Sequence, residues 1–231
     1  MGNPQHIAII PDGNRRWAKQ KGLLAWKGHG EGVKRFREIY KQAFELQVPF
    51  VTFWAASEDN LTKRDLIEVK FLLTLLKSEL EDKDAIEKLS KNEARVRVIG
   101  NWRGIIENKE LTKSIDLLQK ETENYSKFNL TILFGYDGRR EMLEAIKKIA
   151  ADKPAGTDYD LIKQNLWTHD LPQVDLVIRT GGEPHWSAGF MMWHTTDSQF
   201  YFTETLWPDF GKEEFQNALD DYARRERRFG K

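Results

Sequence analysis

His6-Ile7-Ala8-Ile9-Ile10-Pro11-Asp12-Gly13-Asn14-Arg15-Arg16-Trp17 is the stretch that decides the fold. Residues 6–10 are compact and apolar and stop at Pro11-Asp12-Gly13. The residues beyond the turn read as a helix. A strand, a tight polar loop and a helix make the opening of a βα unit. Working outward, the same alternation runs along the chain. Val33, Phe36, Tyr40, Ala43 and Phe44 recur at three- and four-residue spacing and predict a helix over 33–47. Residues 50–56 are a near-continuous apolar run, as a strand buried on both faces requires. Helices are expected over 66–80, 112–124, 139–150, 160–167 and 212–228, and strands over 95–100, 130–134, 174–179 and 200–203. Strands alternating with helices imply right-handed crossovers, hence an α/β fold with a largely parallel six-stranded central sheet flanked by helices.

The 231 residues carry 36 basic and 36 acidic side chains. This length suits one domain, and no repeat or composition break divides 1–231. A net charge of zero argues against a general nucleic-acid binder, so no nucleic-acid partner is expected. The absence of Cys removes thiolate nucleophiles, thiolate metal sites and disulfides. The uncharged run 184–196 is too short and mixed to cross a bilayer, and residues 1–6 lack the build of a signal peptide. A cytoplasmic location is the expectation, with membrane contact peripheral at most.

In open parallel sheets ligands bind beyond the carboxyl ends of the strands. Five expected strand ends are followed by polar, Gly-rich or basic residues: Asp12 to Arg16, Ser57 to Asn60, Asn101 with Arg103, Tyr136 to Arg139, and Arg179 to Glu183. Arg at four of the five favours an anionic ligand. Gly13 lets backbone approach that ligand, and Arg15 and Arg16 add charged donors. Asp12 reads either as the helix N-cap or as a carboxylate bridged to a phosphate by Mg²⁺, an ion that takes one or two carboxylates plus phosphate oxygens and water. No Walker A sequence is present, and Gly28-His29-Gly30-Glu31-Gly32 is not a dinucleotide fingerprint. The chain holds 8 Trp, 13 Phe and 6 Tyr, several of them near the polar loops. Most should be core, while some can line an apolar pocket beside the anion. A diphosphate head on a hydrocarbon tail satisfies both features.

Residues 6–18, Gly28-His29-Gly30, 56–60, 95–100, 136–139, 178–183, 206–210 and 224–230 together resemble the cis-prenyltransferase family, whose best-known members are undecaprenyl diphosphate synthases. The resemblance covers nearly the whole chain. It implies addition of isopentenyl diphosphate to an allylic prenyl diphosphate with formation of a cis double bond. It implies Mg²⁺ held by Asp12, with Gln199 at the position of a second, usually acidic, ligand. Gly13, Asn14, Arg15 and Arg16 would cradle the allylic diphosphate, with His29 nearby and Trp17 touching substrate. Ser57, Glu58, Asp59, Asn60 and Leu61 fall in the segment beside the reacting carbons. Asn60 is assigned to the proton-removal step, where an amide would orient the oxygen that takes the proton. Arg64 supplies the next basic position. Arg179, His185 and Ser187 match the isopentenyl diphosphate contacts. Arg228 and Gly230 match a C-terminal element that reaches the site across a homodimer interface.

This chain departs from the family pattern at His185, usually Arg; at Gln199, usually Glu; at Ala25, usually Arg; at Leu61, usually Trp; at Gly181, usually Ser; and by one extra residue in Ser187-Ala188-Gly189-Phe190. The changes cluster on the acceptor side. A second reading is therefore irregular, lavandulyl-type condensation of dimethylallyl units. A third is a non-catalytic partner subunit, but such subunits characteristically lose the metal-binding Asp, and Asp12 is present.

Overall fold

Six strands form one sheet in which each pairing is parallel, in the order β3-β4-β2-β1-β5-β6. The structure is a computed structural model and describes residues 3–225. Arg228 and Gly230 lie outside the described residues. In chain order the first elements are β1 (His6–Ile10), α1 (Asn14–Gln20), α2 (Lys27–Glu45), β2 (Phe50–Ser57), α3 (Glu58–Thr62) and α4 (Leu66–Leu80). There follow α5 (Lys83–Lys91), β3 (Ala94–Ile99), α6 (Trp102–Ile105), α7 (Lys109–Thr122), β4 (Phe128–Tyr136) and α8 (Gly138–Asp152). The last are α9 (Tyr159–Asn165), β5 (Leu176–Arg179), β6 (Gln199–Phe202), a 3-10 turn (Trp207–Asp209) and α10 (Lys212–Arg224).

Alternation along the strands builds the two core layers. Ile7 and Ile9 face one layer, Ala8 and Ile10 the other, because successive side chains of a strand point to opposite faces. β4 is buried at every residue, whereas the edge strand β3 alternates buried and half-buried. That contrast reproduces the continuous apolar run of a central strand and the alternating one of an edge.

Two local features differ from the sequence reading. Helix α2 begins at Lys27, not at 33, and so takes in Gly28, Gly30 and Gly32. Glycine weakens a helix, but tertiary packing requires it here. A Cβ on Gly28 would lie 1.9 Å from the Asn14 carbonyl oxygen, and one on Gly32 would lie 2.3 Å from Asn14 Oδ1. Gly28 lets α2 touch the backbone of α1, and Gly32 leaves room for the Asn14 side chain. Three short helices, α3, α5 and α6, have no counterpart among the expected elements. α5 buries only Ala85 and Leu89 and starts on the Asp82 cap, which accepts from Ala85 N at 2.8 Å.

The sheet order fixes where a ligand belongs. From β1 the chain moves to one side, through β2 and on to β3 and β4. It then returns to the other side through β5 and β6. The topological switch point lies between β1 and β5, and the crevice outside their carboxyl ends is flanked by Asp12 and Arg179.

Candidate active site

Gly13, not Asp12, caps α1. Its φ of 106° is left-handed, and no side chain caps the first-turn amides. Gly13 also packs tightly, since a Cβ there would lie 2.7 Å from Leu206 Cδ2. Asp12 is pinned through its backbone. Its N–H donates to Thr180 Oγ1 at 2.9 Å, and its carbonyl accepts from Thr180 Oγ1 at 2.8 Å and from Trp207 N at 2.9 Å. The carboxylate is thereby left for the crevice, where Arg16 Nη2 lies 3.2 Å from one oxygen and Arg179 Nη2 3.3 Å from the other. Arg179 is only 5% exposed. It donates to the His185 carbonyl at 2.8 Å and to Ser187 Oγ, while its Nε is buried without a hydrogen-bond partner among the described residues. A buried guanidinium with an unspent donor is suited to an anion.

The opposite rim comes from β2, α3 and the start of α4. A bulge around Ala55 shifts the register of β2 against β4 just before Ser57. Ser57 and Asn60 then form a reciprocal cap: Asn60 N donates to Ser57 Oγ at 3.0 Å, and Ser57 N to Asn60 Oδ1 at 3.3 Å. Asn60 lines the cavity with its carbonyl oxygen already engaged, so it offers a ligand the Nδ2 donor. Beside it, buried Glu68 gathers three cationic or imidazole side chains. Arg64 Nη1 lies at 2.9 Å, His29 Nε2 at 3.0 Å and Arg15 Nε at 3.8 Å. Burial lowers the His29 pKa, while the hydrogen bond to Glu68 pulls it back up. A neutral His29 must carry its proton on Nε2 to donate to that carboxylate, which leaves Nδ1 as an acceptor.

Between the rims opens a cavity of about 430 Å³. Phe53 and Ile132 line it from the sheet, and Phe36, Leu72 and Leu76 from the helices. Its polar end holds Asp12, Asn60 and Arg179. Glu79 also lines it, held by Arg37 Nε at 2.6 Å. An apolar body with a few convergent polar groups is the ordinary form of a small-molecule site. The chemistry of the donors also bears on a metal. Among the described residues no three His, Cys, Asp or Glu side chains gather to hold an ion. The hard oxygens of Asp12 face the cavity, so the site fits Mg²⁺ arriving with phosphate oxygens rather than a closed protein cage.

The undecaprenyl diphosphate synthase model of prenyltransferases matches residues 10–230. The chain belongs to that family. It is 38% identical to the isoprenyl transferase of Thermotoga maritima, an alignment covering 100% of this chain and 98% of the relative. It is 37% identical to the tritrans,polycis-undecaprenyl-diphosphate synthase (geranylgeranyl-diphosphate specific) of Thermoplasma volcanium, over 99% of this chain and 89% of that one. Among solved structures it resembles lavandulyl diphosphate synthase from Lavandula x intermedia in complex with dimethylallyl diphosphate. The TM-score is 0.92 at 31% identity, and 99% of each chain is covered. The protein is thus an enzyme of the cis-prenyltransferase class, with the fold of that class.

Several family positions converge here. Asp12, Asn14, His29, Ser57, Asp59, Asn60, Arg64, Arg179 and Ser187 all line the cavity. Gly13, Arg15 and Arg16 are attached to that end through the loop, Glu68 and Asp12 respectively. His185 sits at the edge, its Nε2 2.9 Å from Ser187 Oγ and its Nδ1 3.6 Å from Glu183.

Four positions stand elsewhere. Gln199 begins β6 and pairs with Leu176, which pairs with Ile7. It therefore lies at the amino end of the sheet, about 10 Å or more from Asp12 at 3.3 Å per residue, and within this chain the two do not share an ion. The expected strand over 200–203 starts one residue after it, and sequence pattern does not show which end of the sheet it occupies. Leu61 is a core residue, 7% exposed, because the first turn of α3 folds under β4. Trp17 donates Nε1–H to Asp209 Oδ1 at 2.7 Å and is not among the residues that line the cavity. Glu58 accepts from Asn101 Nδ2 at 2.8 Å and holds α6.

Glu68 is not among the expected site residues, yet it organises the rim, and Arg139, expected only as a strand-end residue, lines the cavity. Glu68 falls three residues after the Asp65 cap, a spacing that reads as a helix start.

Proposed function

We propose that this protein is a Mg²⁺-dependent cis-prenyltransferase that condenses isopentenyl diphosphate with an allylic prenyl diphosphate to give a cis-polyprenyl diphosphate. The observation that carries the reading is the Asp12 carboxylate, set between Arg16 and Arg179 at the polar mouth of an apolar cavity. Bound Mg²⁺ on Asp12 would supply positive charge for the departing diphosphate. Arg16 and Arg179 hold phosphate oxygens through charged hydrogen bonds. Arg179, with Ser187 and His185, takes the acceptor's diphosphate. Arg15, Arg64 and His29, spaced by Glu68, border the allylic one. The walls of Phe53, Ile132, Leu72 and Leu76 receive the hydrocarbon and exclude water from an electron-poor allylic carbon. Asn60 Nδ2 orients the diphosphate oxygen or water that takes the proton released as the double bond forms.

The partners of this reading are the two diphosphates and a second copy of the chain. Exposed Leu143 (44%) and Ile146 (54%), one turn apart on α8, support a homodimer. A cytoplasmic enzyme in peripheral contact with a membrane suits a product with a long apolar tail, and no helix among the described residues is long and apolar enough to cross a membrane. Purified protein with Mg²⁺, labelled isopentenyl diphosphate and allylic donors of graded length tests the reading. Longer cis products are expected, and no incorporation with any donor would reject it.

The lavandulyl neighbour and the altered acceptor residues favour a second reading, irregular condensation of two dimethylallyl units. Dimethylallyl diphosphate supplied alone, followed by mass analysis, separates them: only the irregular reaction yields a ten-carbon product.

A further inference from the structure

Beside the cavity mouth lies an apolar patch that the proposed reaction does not use. Leu23 and Leu24, in the turn between α1 and α2, are 47% and 63% exposed. Leu66 and Ile67, at the start of α4, are 75% and 67% exposed. The two segments adjoin. Trp26 packs on Phe71 with ring centroids 5.3 Å apart, Phe71 stands one turn after Ile67 on the same helix face, and Arg15 reaches Glu68. The patch is rimmed by positive charge. Residues 15–27 hold Arg15, Arg16, Lys19, Lys21 and Lys27 and no acidic residue, in a chain whose net charge is zero. Lys27 lies over the Trp26 ring at 5.4 Å and Lys21 over Trp17 at 5.8 Å. Of the nearby acids, Asp59 pairs with Lys63 at 2.8 Å, and Asp65 turns back to accept from Ile67 N at 2.8 Å.

We propose that this surface, Leu23, Leu24, Leu66 and Ile67 within a collar of Lys and Arg, docks the protein on an anionic lipid bilayer. Clustered large apolar side chains left in water mark an interaction site. Aliphatic residues flanked by Trp and ringed by Lys and Arg suit the interface, where the apolar groups enter the acyl boundary and the cations meet phosphate. A second copy is the poorer occupant. A two-fold contact matches a patch with itself, which here sets Lys19, Lys21 and Lys27 against their own copies. The docked orientation would turn the cavity mouth toward the membrane.

Flotation of the full chain tests this, with vesicles of phosphatidylcholine alone and of equimolar phosphatidylcholine and phosphatidylglycerol, none containing isoprenoid. The expected result is partition onto the anionic vesicles only, weakened at high salt. The double variant Leu24→Glu, Ile67→Glu should lose about tenfold or more of that partition, while keeping its thermal midpoint, its oligomeric mass and its turnover of soluble substrates. Three results would each overturn the proposal: no flotation of the unaltered protein, equal flotation of the variant, or a change in the variant's oligomeric mass, which would assign the patch to a second copy. Because the vesicles carry no substrate, loss of flotation and loss of prenyl transfer are separately readable.

Discussion

Replacing Asp12 by Asn removes one negative charge and leaves the loop's scaffolding in place. The three hydrogen bonds that fix residue 12 are made by its backbone N–H and carbonyl, to Thr180 and from Trp207, and none involves the side chain. The carboxylate's partners, Arg16 and Arg179, lie at 3.2 and 3.3 Å, but the Asp12 side chain is 36% exposed. Solvent screening therefore limits each pair to about 1 kcal/mol or less. A total near 2 kcal/mol lowers the thermal midpoint by about 4–8 °C in a chain of this size. From a stability of about 5–15 kcal/mol that leaves almost every molecule folded. Turnover should respond on another scale. Losing the charge that would fix Mg²⁺ against the leaving group forfeits several kcal/mol of transition-state stabilisation, and about 4 kcal/mol is roughly a thousandfold in rate. The assay is single-turnover incorporation of labelled isopentenyl diphosphate across a Mg²⁺ titration, with thermal melting of the same preparation. A rate within tenfold of the unaltered enzyme would refute the assignment of Asp12. So would a melting midpoint so low that unfolding accounts for the loss.

Gly13→Ala forces a Cβ onto a backbone at φ 106°, 2.7 Å from Leu206 Cδ2. It should cost about 2 kcal/mol, read as a lower urea midpoint; an unchanged midpoint would show that the loop yields freely. Glu68→Gln strips the charge from a carboxylate whose own side chain, and that of His29, are each 9% exposed, and it leaves Arg64 unneutralised. Stability should fall by about 2 kcal/mol, below the usual range for a broken buried pair because Gln still accepts one hydrogen bond. A loss under about 0.5 kcal/mol would mean the cluster is slack. Leu76→Trp narrows the cavity from α4 and should shift products to shorter chains without abolishing the first condensation; an unaltered product ladder would place the growing tail elsewhere. Acid should destabilise the fold through His6 and His194, both fully buried and both with pKa values pushed down to about 4. Their folded values lie below the unfolded 6.5, so stability is full above pH 6.5 and falls as pH drops toward 4. Each histidine removes about 2 kcal/mol by pH 5. Burial raises the pKa of Glu141, which works in the opposite direction. Urea midpoints at pH 7 and pH 5 decide the matter, and equal midpoints would contradict it.

Sequence by itself determined the class of fold and the family. Short, near-continuous apolar runs at 6–10, 50–56 and 130–134 read as strands covered on both faces, and amphipathic spacing between them supplies the covering helices. The loop 11–17 was legible because its chemistry is local: Gly at the tight turn, Asp and Arg side by side. Tertiary structure decided what depends on direction and depth. Asp12 could have been a cap; its place beside Arg179, 167 positions away, is a property of β1 and β5 being neighbours. Gln199 and Leu61 fall at family positions by resemblance, yet one lies at the amino end of the sheet, away from Asp12, and the other faces the core. In the sequence Glu68 is one polar residue of the 66–80 helix, and the packing of α1 and α2 brings Arg15 and His29 against it. Periodicity specifies which face of an element is apolar. Only the packing of several elements specifies which polar groups meet in the space they enclose.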